Sequence, residues 1–154
     1  MARTSSETLV TQSVLDRLMA VDDWPATRSQ SVRFFKEAIK RDLEWLLNTR
    51  QPPLLQLDAW PAAKASVINY GLPDITSLGL LSPSDHNTLR LAILACLRNF
   101  EPRLMDIHVK LEGSDTKDRR LRFHIDGNLR LDPAPEEIGF DTVLELTSGE
   151  YKVK

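Results

Sequence analysis

The side chains of this chain that could do chemistry are 22 carboxylates, three histidines and one cysteine. A carboxylate pair hydrolyses a glycoside when one member is held protonated in an apolar pocket opposite another that stays ionised. Glu101 is the one carboxylate beside a strongly apolar segment, so it is the candidate for that role. Arg103 stands two residues on, however, and a neighbouring guanidinium favours the charged form, the wrong direction for a general acid. No catalytic residue is therefore assigned. The histidines, His86, His108 and His124, fall on a helix start and on two strands. His108 and His124 are placed to face each other across a hairpin, yet no acid or cysteine stands at ligand spacing, and no metal site is expected. The sequence has no glycine-rich phosphate loop, nucleophile elbow or Cys/His constellation, and no cofactor is expected. Cys96 reads as a small buried hydrophobe. As a single cysteine it cannot make an internal disulfide, which points to a reducing compartment.

Glu101 and Arg103 are positioned by the most apolar stretch of the chain, SPSDHNTLRLAILACLRNFEPR. Ser82 suits a helix N-cap, Pro83 the first helical position, and Asp85 stands where its carboxylate reaches back to the cap. Leu89, Ile93, Cys96, Leu97 and Phe100 form one stripe at helical spacing. Leu91, Ala92, Leu94 and Ala95 widen it, so a helix enclosed on most sides is expected. Pro102 has no N–H to donate and pushes Glu101 from helical angles, which ends the helix in a rigid bend flanked by opposite charges.

Upstream, SVRFFKEAIKRDLEWLLNTR predicts a helix from Ser31 to Arg50, with Val32, Phe35, Ile39, Leu43, Leu46 and Leu47 on one face. Arg33, Glu37, Lys40, Arg41 and Glu44 mark the opposite side as solvated, and Pro52-Pro53 forbids continuation. Between the two helices SVINYG reads as a brief strand, and Trp60 and Tyr70 are expected to pin the long connection onto the core. Beyond the bend the period becomes two. LMDIHVKLEG puts Leu104, Asp106, His108 and Lys110 on one side and Met105, Ile107, Val109 and Leu111 on the other. RRLRFHIDGNLRL alternates Leu121, Phe123 and Ile125, and FDTVLELTSGEYKV alternates Val143 with Glu145 or Leu144 with Leu146. A polar turn at GSDTKD joins the first two strands, and Ser148-Gly149 turns the chain into a terminal strand with Tyr151 and Val153. The fold class is α+β: N-terminal helices packed on a small, mainly antiparallel C-terminal β-sheet.

Residues 1–28 read as an N-terminal docking segment, ahead of a single α+β domain over 29–154. SVLDRLMAVD carries Val14, Leu15, Leu18 and Met19 at helical spacing, too short a helix to stand alone in water. Its apolar face must dock on its own domain or on another subunit. A turn-rich link around Trp24-Pro25 follows. The length of 154 residues, with 42% hydrophobic and 27% charged, suits a globular domain with a real core. A formal charge of −2 gives no pull toward nucleic acid or anionic lipid. With neither a signal peptide nor an apolar run of membrane-spanning length in the sequence, a soluble cytoplasmic protein without direct membrane insertion is expected.

In this order and at these intervals, RDLEWLLNTR, YGLPD, FEPRL and FDTVLELTSGEYKV resemble the family that includes the phage-tail baseplate wedge protein historically labelled lysozyme-like and TssE, its counterpart in the bacterial type VI secretion system. SVLDRL resembles the start common in the secretion-system branch. The likeness covers roughly Ser31 to Lys154, with FEPRL its most specific element. It implies a non-enzymatic baseplate subunit at the inner face of the inner membrane, joining a wedge with TssF, TssG and other baseplate components and meeting the first ring of the TssB/TssC sheath. It implies further that Glu101, Pro102 and Arg103 form an assembly interface whose charges meet a neighbouring subunit, with a fold that tolerates their loss. Leu15, Arg17 and Leu18 then belong to the partner-docking helix, and Val143 and Leu146 to an edge strand offered to the sheath. A murein hydrolase and a phage-tail-derived wedge protein are the alternatives. The setting of Glu101 discriminates them: an ion pair suits assembly, a carboxyl facing a second acid in an apolar cleft suits hydrolysis.

Overall fold

The computed structural model describes residues 9–19, 25–52, 57, 59–74, 82–115 and 120–154. The chain divides into two compact units, Met1–Arg41 and Asp42–Lys154. The division falls within helix α2 (Arg28–Asn48), which follows the short helix α1 (Val14–Met19). The expected link at Trp24 lies outside the described residues, as do residues 116–118 of the expected GSDTKD turn, whose first three residues belong to the first strand.

In the first unit, α2 starts three residues earlier than its apolar periodicity alone predicts. Thr27 and Gln30 make a capping box: the Gln30 N–H donates to Thr27 Oγ1 at 3.3 Å, and Gln30 Oε1 accepts from the N–H groups of Ala26 and Thr27 at 2.9 and 3.3 Å. α1 is capped by Ser13, whose Oγ accepts from the Asp16 N–H at 3.1 Å. Polar contacts tie this segment to α2. Val10 N–H donates to Ser31 Oγ at 3.0 Å, Gln12 Nε2 to the Ser31 carbonyl at 3.0 Å, and Arg41 pairs with Asp16 at 2.7 Å. Arg41 is therefore half-buried in an ion pair instead of standing on a solvated face; the exposed Arg33–Glu37 pair, at 3.9 Å, fits that reading better.

The second unit is a four-stranded antiparallel sheet in the order β1 (Leu104–Asp115), β2 (Arg120–Leu129), β3 (Glu136–Glu145), β4 (Glu150–Val153), preceded by the one-turn helix α3 (Pro61–Lys64) and by α4 (Pro83–Phe100), which packs against β1. One sheet face is apolar and buried: Leu104, Ile107 and Val109, then Leu121, Phe123, Ile125 and Leu129, then Phe140 and Leu144, then Tyr151 and Val153. Strict alternation would put Leu104 on the face of Asp106, away from Ile107. A β-bulge corrects the parity: the register slips between Met105 and His108, and Asp106 takes φ +51, so Leu104 and Ile107 both point inward. The chain reverses from β3 to β4 at Ser148-Gly149 as expected, with Gly149 at φ +73 and its N–H on the Glu145 carbonyl at 2.7 Å.

α4 follows the predicted stripe, with Leu89, Ile93, Cys96 and Leu97 buried. It is not enclosed on most sides: Leu91 is 48% exposed and Ala95 is exposed, so the helix is a one-sided amphipathic element. Its start also differs, because the Ser82 hydroxyl makes no cap bond; it meets Ser84 Oγ at 2.8 Å, and the Ser82 carbonyl accepts from the N–H groups of Asp85 and His86. In the connection, SVINYG is a 3-10 turn at Val67–Asn69, capped by Ser66 Oγ. A strand would require pairing along its length; among the described residues the nearby bridge, Arg50 with Leu72, lies beyond it. Tyr70 does pin the segment, meeting Phe100 edge-to-face at 5.3 Å between ring centroids, whereas Trp60 is 68% exposed and pins nothing. Gly71 is required there: at φ +102 a Cβ would stand 2.4 Å from the Thr49 carbonyl oxygen.

Both ends of the sheet are edges, and β4 is closed by a side chain. Asn48 Nδ2 donates to the Tyr151 carbonyl at 2.9 Å while its Oδ1 accepts from the Tyr151 N–H at 2.8 Å, so one amide imitates a neighbouring strand. Arg50 supports it, donating to the carbonyls of Leu47 and Gly149 and lying 5.9 Å from the centre of the Tyr151 ring. Asn48→Ala loses both bonds and is expected to cost ~1–3 kcal/mol, about 1 kcal/mol per bond, with hydrogen exchange at the Tyr151 amide accelerated; urea unfolding and amide exchange measure the two effects.

Candidate functional site

The bend that closes α4 is built around a buried carboxylate. Glu101 is the C-cap residue, its N–H on the Leu97 carbonyl at 2.9 Å, and it is only 3% exposed. Pro102 carries the chain round, and the Leu104 N–H returns to the Glu101 carbonyl at 3.2 Å. Arg103 then folds back over its neighbour. Its Nε donates to Glu101 Oε1 at 2.6 Å, a second guanidinium nitrogen to Oε2, and that same nitrogen reaches Asp42 Oδ2 at 2.7 Å. The Arg103 N–H also points at Glu101 Oε1, and the Arg103 carbonyl accepts from the Arg130 N–H at 2.9 Å. Burial alone would lower the Arg103 pKa, but the hydrogen bonds and charges of Glu101 and Asp42 outweigh it and raise it. The guanidinium is a permanent cation between two carboxylates.

This geometry differs from a pair of charges held outward for a neighbour. Glu101 is satisfied inside its own chain, and the half-buried Arg103 guanidinium is the part that reaches the surface. The physical reason is local: the bend aims both side chains back along the helix end, where a carboxylate shed of water needs a cation at once. Tyr70 lies in the same environment, its pKa raised by burial first and then by Asp42, Cys96 and Glu101. Cys96 donates to the Gly71 carbonyl at 3.2 Å, and burial pushes its thiol up to about 12, which makes it inert.

The residues expected to dock partners stand apart from this bend. No residue of α1 is buried; Leu15 and Arg17 are exposed and Leu18 is 77% exposed. Val143 is not at an edge, because it pairs with Arg122 on one side and Lys152 on the other, and Leu146 lies in the turn beyond β3. The edges are β1 and β4, and Asn48 occupies β4 at Tyr151.

The outer sheet face holds a cluster that sequence spacing did not reveal. His124 on β2 stands across from Asp141 on β3, with Nδ1 at 2.6 Å from Asp141 Oδ1 and Nε2 at 2.7 Å from Asp126 Oδ1. Lys110 on β1 holds the other Asp126 oxygen at 3.0 Å. The Asp141 hydrogen bond raises the His124 pKa, and Lys110 together with His124 lowers that of Asp126. His108 pairs with Asp126 in register, not with His124, so the two histidines are diagonal neighbours. Asp126 stands two residues on in the same strand, whereas Asp141 comes from β3, and a partner brought by cross-strand register is not visible in spacing along one segment.

A family model described as baseplate wedge protein gp25 matches residues 34–134, well over half of the chain. The chain belongs to the gp25 baseplate wedge family. No curated protein matches it significantly. The gp25 match takes in most of α2, all of α4, the Glu101–Arg103 bend, β1 and β2, and a phage-tail-like structural role in a baseplate follows from it. Among the described residues no helix is long and apolar enough to cross a membrane. Arg103→Ala strands the buried Glu101 charge and is expected to cost ~3–5 kcal/mol, whereas Asp42→Asn, which leaves the Glu101–Arg103 fork intact, costs about 1 kcal/mol or less. Chemical denaturation of the two variants measures the difference, and equal small losses would contradict this account of the bend.

Proposed function

We propose that this protein is a non-enzymatic baseplate subunit of a type VI secretion contractile machine, joining a wedge of TssF and TssG to the first ring of the TssB/TssC sheath at the cytoplasmic face of the inner membrane. The observation that supports it most is the closed Glu101–Arg103–Asp42 clasp inside the gp25 match. A lysozyme-like hydrolase requires one carboxyl kept neutral in an apolar pocket and another ionised across the scissile bond. Here both oxygens of the candidate acid are taken by the Arg103 guanidinium and the side chain is buried, so it is hidden from substrate. A rigid bend with one guanidinium edge at the surface suits a fixed assembly contact.

α1 supplies the second line of support. It is held to α2 by the Asp16–Arg41 ion pair and keeps Val14, Leu15, Leu18 and Met19 exposed on a helix too short to be stable by propensity. Such a helix suits a groove on another protein. The double variant Leu15→Ser, Leu18→Ser is expected to keep its melting temperature within a few degrees while losing wedge partners in affinity purification with mass spectrometry, each leucine contributing up to ~1.5–3 kcal/mol on burial. Co-purification of phage-type wedge proteins in place of TssF and TssG would assign the chain to a phage-derived device. Turnover of labelled peptidoglycan that Glu101→Gln abolishes would defeat the structural reading altogether.

A further inference from the structure

We propose that Glu112, His124 and Asp141 form a site for a divalent transition-metal ion of the zinc type, bridging β1, β2 and β3 on the outer face of the sheet. One ligand atom from each lies within 4.8 Å of the others, one residue per strand. Imidazole nitrogen with carboxylate oxygens is a donor set that zinc accepts at three positions, with water completing a tetrahedron. Three acidic or basic groups on a surface are common, so the weight rests on how His124 is held.

A metal-bound histidine almost always donates its second ring N–H to a carboxylate, a backbone carbonyl or water, which fixes the ring and its tautomer. His124 has that partner: Nε2 meets Asp126 at 2.7 Å, and Asp126 is in turn anchored by Lys110 at 3.0 Å. The ring is seated by backbone as well. Gly139 lies beneath it, and a Cβ there would come within 3.1 Å of Nε2 and 3.2 Å of Cε1, so glycine leaves the room in which the imidazole lies. With Nε2 committed to Asp126, Nδ1 is the nitrogen turned toward Asp141, 2.6 Å away, and a Glu112 oxygen lies within 4.8 Å of the ligand atoms of both residues. Glu112 is brought up by the second irregularity of β1, where the register shifts between Leu111 and Gly113. The ion binds through the Nδ1 lone pair, any proton carried there leaving to solvent, while Nε2 keeps its proton on Asp126.

The test uses the full chain, free of any affinity tag and stripped of metal by chelation. Zinc is titrated by calorimetry, and cobalt by visible absorption, which reports the coordination geometry. One equivalent should bind and raise the melting temperature. His124→Ala and Asp141→Asn should each lower affinity at least tenfold, and Asp126→Asn, which touches no metal, by about 10–100-fold. His108→Ala should change nothing, and circular dichroism checks that each variant is folded. Should His124→Ala fail to fold, nuclear magnetic resonance of the wild-type His124 ring decides: zinc must perturb Nδ1 and leave the Nε2 proton in place. No binding at excess metal, binding indifferent to Asp126→Asn, or an unperturbed His124 ring would each overturn the proposal.

Discussion

A carboxylate taken out of water at the end of a helix has to be met by a cation where it lies, and that requirement governs the centre of this fold. α4 delivers Glu101 into a buried position, Pro102 removes the option of another helical turn, and Arg103 is the nearest residue able to answer both carboxylate oxygens at once. Answering them sets the direction in which β1 leaves. From there Arg103 gives its carbonyl to Arg130 just beyond β2 and its guanidinium to Asp42 on α2. Helix end, first strand, second strand and α2 are thus fixed through one residue. Lysine would keep the charge and lose the fork.

The sheet that follows works by parity. Each strand has one face for the core and one for water, and a single bulge at Asp106 keeps Leu104 on the inner face after the constrained bend. The same parity gathers charge outside. Lys110, His124 and Asp141 fall in one row across three strands, and Arg120, Glu145 and Lys152 pair across another. Exposed pairs of this kind add little to stability singly. Their value lies in what a pre-arranged set of donors can hold.

The two edges of the sheet are managed differently. β4 is short, carries Lys152, and has its outward backbone taken at Tyr151 by Asn48, so pairing with a foreign strand there first requires that amide to leave. β1 is long and twice irregular. The apolar surface left open in the first unit is on α1, whose polar side is already bonded to α2.

Much of this architecture was legible in the sequence because local physics fixed it. The 3.6-residue period of α2 and α4, the helix stop at Pro102, the inward set Leu121, Phe123 and Ile125, and the Ser148-Gly149 turn each depend on residues close together in the chain. The motif FEPRL marked the bend and the family. What the sequence could not decide was how far-apart residues meet. Leu91 reads as apolar whether or not anything covers it, and SVINYG suits a strand although, among the described residues, no partner runs beside it. The bulge at Asp106 is a property of a strand pair, so alternation within one strand misplaced Leu104. The partners of Arg103 include Asp42, 61 positions earlier, and those of His124 come from β2 and β3, so both settings follow from tertiary packing and cross-strand register. Local sequence determined where the chain bends and which face of each strand is apolar; only the assembled sheet and helices decided that Glu101 is enclosed by its own chain and that an imidazole lies between carboxylates on the outer face.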